Sequence, residues 1–155
     1  MLLSKTCDYG IRAALYVASK PGVQYFPIRE ISGNLNISFH FLTKILQKLT
    51  QHHIMKSFKG PRGGVALARS PKSITLMDII MAIEEPDFFR RCLLGLEQCL
   101  DENPCPVHEE WKAIRGDIQS IFENTTLAKM TTRIEEKGYR IADLVKKPPR
   151  KKKSA

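Results

Sequence analysis

Apolar residues return every three or four positions through the first fifty residues. Ile11, Ala14, Leu15 and Ala18 share one helical face, and Pro21-Gly22 closes that helix. Pro27 stands where a second helix can start, with Ile28, Ile31 and Leu35 as its stripe and a turn around Asn36. Ser38 is placed to cap a third helix, whose Leu42, Ile45, Leu46 and Leu49 face inward. Its other face carries His40, Thr43, Lys44, Gln47, Lys48 and Gln51, all polar or basic. After Ile54 the period shortens. IMKSFK (54–59) and GVALAR (64–69) alternate and are joined by GPRG, a hairpin signal. Thr75 and Asp78 then match a capping box, followed by an apolar stripe of Leu76, Ile79, Ile80 and Ile83.

Two short helices, a tight turn and a small hairpin predict a winged helix-turn-helix, so the expected fold is mainly α with one β-hairpin. In that geometry the second helix of the motif enters the major groove of double-stranded DNA by its N-terminal residues. The candidate base readers are Ser38, His40, Thr43 and Lys44, with Lys48 further along the same face. Phe41 suits either contact with sugar or a thymine methyl, or a place in the core. At the hairpin tip, Lys59, Arg62 and Gly63 suit the DNA backbone or the minor groove, because amines release counterions and glycine lets the main chain approach phosphates.

Further along, Val107, Trp111, Ile114, Ile118 and Ile121 form a narrow seam at alternating spacings of four and three. Such a seam on a long helix needs a helix opposite it. A second copy of the chain supplies one in a homodimer; packing on the chain's own N-terminal part is the alternative. The expected organisation is a DNA-binding domain over 1–85 and a cysteine-rich loop over 86–107. A dimerisation helix with a C-terminal helical segment follows over 108–145, then a disordered basic tail over 146–155.

Charge sharpens this picture. The 155 residues carry a net +9, and no Asp or Glu occurs between Ile31 and Met77. Residues 78–145 are acidic, with eight Lys/Arg against fourteen Asp/Glu, and the last ten residues hold six Lys/Arg and no acid. A structured segment free of carboxylates avoids repelling phosphates, which favours a nucleic-acid face. The first residues show no secretory pattern, and Ile11–Ala18 is too short and too interrupted to span a bilayer. A reducing cytoplasm is therefore the expected location, with neither a membrane nor a small-molecule substrate as partner.

Three of the four cysteines, Cys92, Cys99 and Cys105, lie in CLLGLEQCLDENPCPVH with His108 just beyond. Disulfides are disfavoured by a reducing compartment and by the odd count. A Cys105–His108 nucleophile pair lacks an oxyanion loop and a third orienting group, so an enzyme is not expected. Metal binding fits the thiols better. The five- and six-residue gaps are wider than zinc knuckles and favour an iron–sulfur core over zinc. Cys7 is a further thiol beside Asp8, placed to be buried on the first helix, with a ligand or redox partner as the alternative.

KTCDYGIRAALYVA, ISFHFLTKILQKL, KGPRGGVALARSPKSITLMDII, the three cysteines and CPVHEEWKAIR…TTLAKM together resemble the Rrf family of bacterial winged-helix transcription regulators, the IscR, NsrR and RirA type. The likeness runs from Leu3 to about Met130. It implies a homodimeric regulator with a 2Fe–2S or 4Fe–4S cluster on Cys92, Cys99 and Cys105. His108 or Asp8 of the partner subunit would be the fourth ligand, and the signal would be redox, nitric oxide or iron status. This sequence departs from the family at Thr43, where many relatives are acidic, and at His53, where glycine is usual. A left-handed His53 costs on the order of 1 kcal/mol. Alternatives are a zinc-bound or thiol-switch regulator of the same fold, and a protein-interaction module that binds a metabolic enzyme.

Overall fold

The computed structural model describes residues 2–143. Its elements run α1 (Lys5–Ala18), α2 (Ile28–Leu35), α3 (Phe39–Gln51), β1 (Met55–Phe58), β2 (Gly64–Leu67), α4 (Leu76–Ile83), α5 (His108–Asn124) and α6 (Leu127–Lys137). The fold is thus mainly helical with one antiparallel hairpin, in the order the apolar pattern predicts. No helix among the described residues is long and apolar enough to cross a membrane. The basic tail expected over 146–155 lies outside the described residues.

Helix α1 is the centre of the packing. Ser4 caps it by accepting from the Cys7 N–H at 3.1 Å, and Cys7, Ala13, Ala14 and Val17 are buried against α3, α4 and α6. Gly10 lets α1 lie directly on Ile45 and Ile83, where a side chain would collide with Ile83. Burial raises the Cys7 thiol to about 12, with Glu84 and Asp8 pushing the same way, so this cysteine stays protonated. Leu42, Ile45, Leu46 and Leu49 of α3 are all buried, as their spacing requires.

The ends of these helices explain two features of the sequence. Asn36 takes a left-handed conformation after α2 (φ 53°), which sets the turn into α3. His53 does the same after α3 (φ 56°), with His53 N–H donating to Thr50 O and Ile54 N–H to Leu49 O. That is a Schellman ending in which buried Ile54 and Leu49 make the apolar contact and histidine occupies the position glycine prefers. Ser38 precedes α3, but its side chain makes no capping hydrogen bond. Thr75 and Asp78 form the expected capping box on α4, at 3.1 and 2.9 Å.

The strands are each four residues long, pairing Met55 with Leu67 through to Phe58 with Gly64. Phe26 and Val65 exchange both backbone hydrogen bonds, which adds a short third edge. A Cβ on Gly64 would collide with the Phe26 carbonyl, so this approach requires glycine.

The C-terminal part differs from a free-standing dimerisation arm. Ile118 of α5 packs half-buried on the core and Phe122 is buried, while Ile114 and Ile121 remain more than half exposed. The seam therefore divides between the chain's own core and its surface. Residues 125–127 stitch the segment to the N-terminal unit. Thr75 bridges Thr126, Leu76 N–H donates to Thr125 O, and Leu127, fully buried, donates to Ile74 O. Helix α6 then packs on α1, and Arg12 joins Leu35 O (3.0 Å) to Ile141 O (2.8 Å).

Candidate DNA-binding face and cysteine site

At the start of α3, Ser38, His40 and Lys44 are exposed, while Thr43 is half-buried and its hydroxyl donates to Phe39 O at 2.8 Å. Phe41 is 37% exposed and sets its edge on the Tyr9 ring of α1 at 5.7 Å. It is thus partly core and partly surface. Lys48 is also exposed, but its ammonium donates to Ile83 O, at the end of α4, at 3.1 Å. Arg29, which the sequence pattern did not single out, lies over the Phe39 ring at 4.8 Å and adds a cation beside the first turn of α3. At the wing tip, Gly63 N–H donates to Gly60 O at 2.9 Å; Lys59, just before that turn, and Arg62, within it, are exposed.

The cysteine segment lies along α5. Two pairs form within it. The Cys92 and Cys105 sulfurs are 3.8 Å apart, and Cys99 Sγ is 3.3 Å from His108 Nδ1. His108 is only 2% exposed, and its Nε2–H donates to Asp101 Oδ1 at 2.8 Å. Lys112 holds the same carboxylate at 2.7 and 2.8 Å. The Lys112 hydrogen bond, and then the one from His108, keep Asp101 below the usual carboxylate range, so it stays anionic and fixes the proton on Nε2. The Nδ1 lone pair is thereby turned to the Cys99 sulfur.

Arg115 draws the segment together. It donates to Phe89 O (2.9 Å) and Arg91 O (3.3 Å), just ahead of Cys92, and to Cys99 Sγ (3.2 Å). Trp111 Nε1–H also donates to Arg91 O, at 2.8 Å. Burial opposes ionisation of Cys92, but the backbone of Leu94 and Leu96, the Cys105 thiol and the Arg115 guanidinium outweigh it and lower its pKa. Asp101 and Arg115 were not picked out from the sequence. Arg115 had a readable signal, because His108, Trp111 and Arg115 share one face of α5 at spacings of three and four.

No three of the described His, Cys, Asp and Glu side chains already converge on one metal position, since the four donors stand as two pairs. The donor chemistry nonetheless suits an iron–sulfur group. It offers three thiols, one with lowered pKa, and a buried imidazole whose second nitrogen is held by a carboxylate, the usual outer support of a ligating histidine.

Comparison with known proteins decides the family. The family model of Rrf2, iron-dependent transcriptional regulators, matches residues 3–133. The chain belongs to the Rrf2 family. As a member it is a transcription regulator, a class that works by binding DNA, and not an enzyme. Among Rrf2-like relatives, a protein of Aquifex aeolicus (strain VF5), assigned to the HTH-type transcriptional regulators, is 35% identical over 139 residues, covering 88% of this chain and 95% of its own. IscR of Sodalis glossinidius is 31% identical, with coverage of 87% and 81%. Among solved structures, CymR, the global cysteine regulator of B. subtilis, superposes with a TM-score of 0.74 at 26% identity, over 85% of this chain and 97% of that one.

Proposed function

We propose that this Rrf2 regulator reports redox, nitric oxide or iron status through an iron–sulfur cluster held by Cys92, Cys99 and Cys105. His108 is the preferred fourth ligand over Asp8 of the partner subunit. The observation that carries this is the buried His108, which presents Nδ1 to Cys99 while Asp101 holds its Nε2–H. The likeness to IscR and the iron-dependent character of the family support the same reading.

When bound, such a cluster supplies a core whose charge changes on one-electron transfer and which nitric oxide or iron shortage dismantles. The chain's own residues supply the rest. Arg115 ties the cysteine segment to α5, and Lys48 ties α3 to the end of α4, from which that segment departs. A change in the packing of the segment thus has a route to the reading helix. The DNA affinity of each state differs by the energy difference between the two arrangements. Recognition helices would be paired in a homodimer through the exposed Ile114 and Ile121, with Ser38, His40, Phe41, Thr43 and Lys44 reading the major groove. Lys59, Arg62 and Gly63 would follow the backbone at the wing.

Purification without oxygen, with the visible spectrum and the iron and acid-labile sulfide per chain, tests the proposal. A brown protein with near-equal iron and sulfide is expected, and the iron count separates 2Fe–2S from 4Fe–4S. A colourless protein from iron-replete cells, free of both, sinks it. A thiol switch is the second reading, favoured by the 3.8 Å approach of Cys92 and Cys105. In that case mass spectrometry after peroxide treatment finds a Cys92–Cys105 disulfide and two hydrogen atoms fewer, the peroxide being reduced to water, and no iron at any stage.

A further inference from the structure

The wing carries an aromatic pair used by neither the core nor the cysteine site. Phe58 ends β1 with 56% of its surface exposed. Its ring stacks on Tyr25 with centroids 5.0 Å apart and planes 25° from parallel. Tyr25 is anchored, because the next residue, Phe26, is buried and exchanges two backbone hydrogen bonds with Val65, at 2.8 and 2.9 Å. The stacked rings are therefore fixed to the sheet rather than carried on the loop. Lys56, Lys59 and Arg62 are exposed around them, in the stretch that contains no carboxylate.

An exposed apolar ring rimmed by cations suits a partner that presents phosphates and apolar surface together. The walls of a DNA minor groove do so: sugars and base edges lie between two rows of phosphates, and apolar side chains beside cations pack there and pry at base steps. A ring already stacked on a second one loses little freedom on docking.

We propose that Phe58, backed by Tyr25, is a specificity-determining contact of this regulator. Its ring packs on the sugar walls of the minor groove at readily deformed steps, while Lys59 and Arg62 hold the flanking phosphates. Pyrimidine–purine steps yield most easily, so the wing then favours TA or CA at positions that α3 does not reach. The inference rests on DNA binding by the wing, and the test separates the two.

Full-length protein is used to enrich duplexes from a pool of random 40-base-pair DNA. The best duplex is then titrated with wild type, Phe58→Ala, Phe58→Leu and Phe58→Tyr at several salt concentrations. Phe58→Ala is expected to bind about tenfold more weakly with an unchanged salt slope, and Phe58→Tyr to retain most of the affinity. Enrichment repeated with Phe58→Ala should lose the TA and CA preference flanking each half-site and keep the central bases. Equal affinity and an unchanged enriched sequence overturn the proposal. So does a fall in salt slope, which would mean that Phe58 only positions the neighbouring cations. A wild type that enriches no duplex at all would bring down DNA reading itself, and this contact with it.

Discussion

The Lys48 ammonium ends 3.1 Å from the Ile83 carbonyl oxygen, so a lysine of α3 closes the last turn of α4. Cations are favourable at that end of a helix, where carbonyls lack partners. One residue later, the Glu84 carboxylate accepts from the Ser4 N–H at 3.1 Å. The chain leaves this junction as the cysteine segment, so α1, α3 and that segment meet at Ile83-Glu84.

Lys48→Gln should therefore leave the salt dependence of DNA binding unchanged. A lysine on a phosphate would instead lower the slope of log K against log salt by about one. The variant should lose about 1 kcal/mol of stability in urea, the usual contribution of one hydrogen bond. A slope that drops with no loss of stability would return Lys48 to the DNA face.

Replacing both Lys59 and Arg62 by alanine should weaken binding to every sequence alike. Both are exposed at the wing tip, and two lost phosphate contacts lower the salt slope by about two. Titration of specific and unrelated duplexes at several salt concentrations checks this. Weakening confined to one sequence would make the tip a base reader.

Asp101 holds His108 from an exposed position, so Asp101→Asn should fold normally and keep the neutral contacts. What it loses is the negative charge that fixes the imidazole proton. Removal of such an outer partner typically costs 10- to 100-fold in metal affinity. Iron retained against a chelator, followed by the visible spectrum, should fall by that order. Equal retention would point to a fourth ligand other than His108.

His53→Gly should stabilise the protein by about 0.5–1 kcal/mol, because histidine occupies a left-handed position there. The midpoint of thermal unfolding should rise by about 1–4 °C. A fall would show that the His53 side chain makes a contact worth more than the strain.

Much of the fold was legible because periodicity decides burial. The α3 stripe, the Thr75–Asp78 box and the turn at Asn36 follow from spacing and turn chemistry alone, whereas the left-handed His53 was signalled only by the resemblance to relatives that carry glycine there. Other features rest on contacts that the apolar pattern does not show. Lys48 sits on the polar face of α3, yet what it bonds is the end of α4, 35 residues away in sequence. Thr43 looks like a free hydroxyl but is occupied by the Phe39 carbonyl four residues back. In the cysteine site the sequence names the donors. It does not show that they stand as two pairs, or that Arg115 and Asp101 order them, because a loop without periodicity carries no register.

The same distinction decides the last prediction. The heptad reading of α5 treats Ile114, Ile118 and Ile121 alike, but Ile118 packs on the core while Ile114 and Ile121 are 51% and 58% exposed. A charge at Ile118 would damage the fold and the interface together and could not separate them. Charges at Ile114 and Ile121 address the surface alone. The double variant Ile114→Glu, Ile121→Glu should keep the helical circular dichroism of wild type and sediment as a monomer, since buried unpaired carboxylates are too costly for a dimer seam. DNA affinity for a twofold site should fall with it, because each recognition helix would then bind its half-site alone. A variant that still sediments as a dimer, with wild-type affinity, would place the contact between subunits elsewhere on the chain.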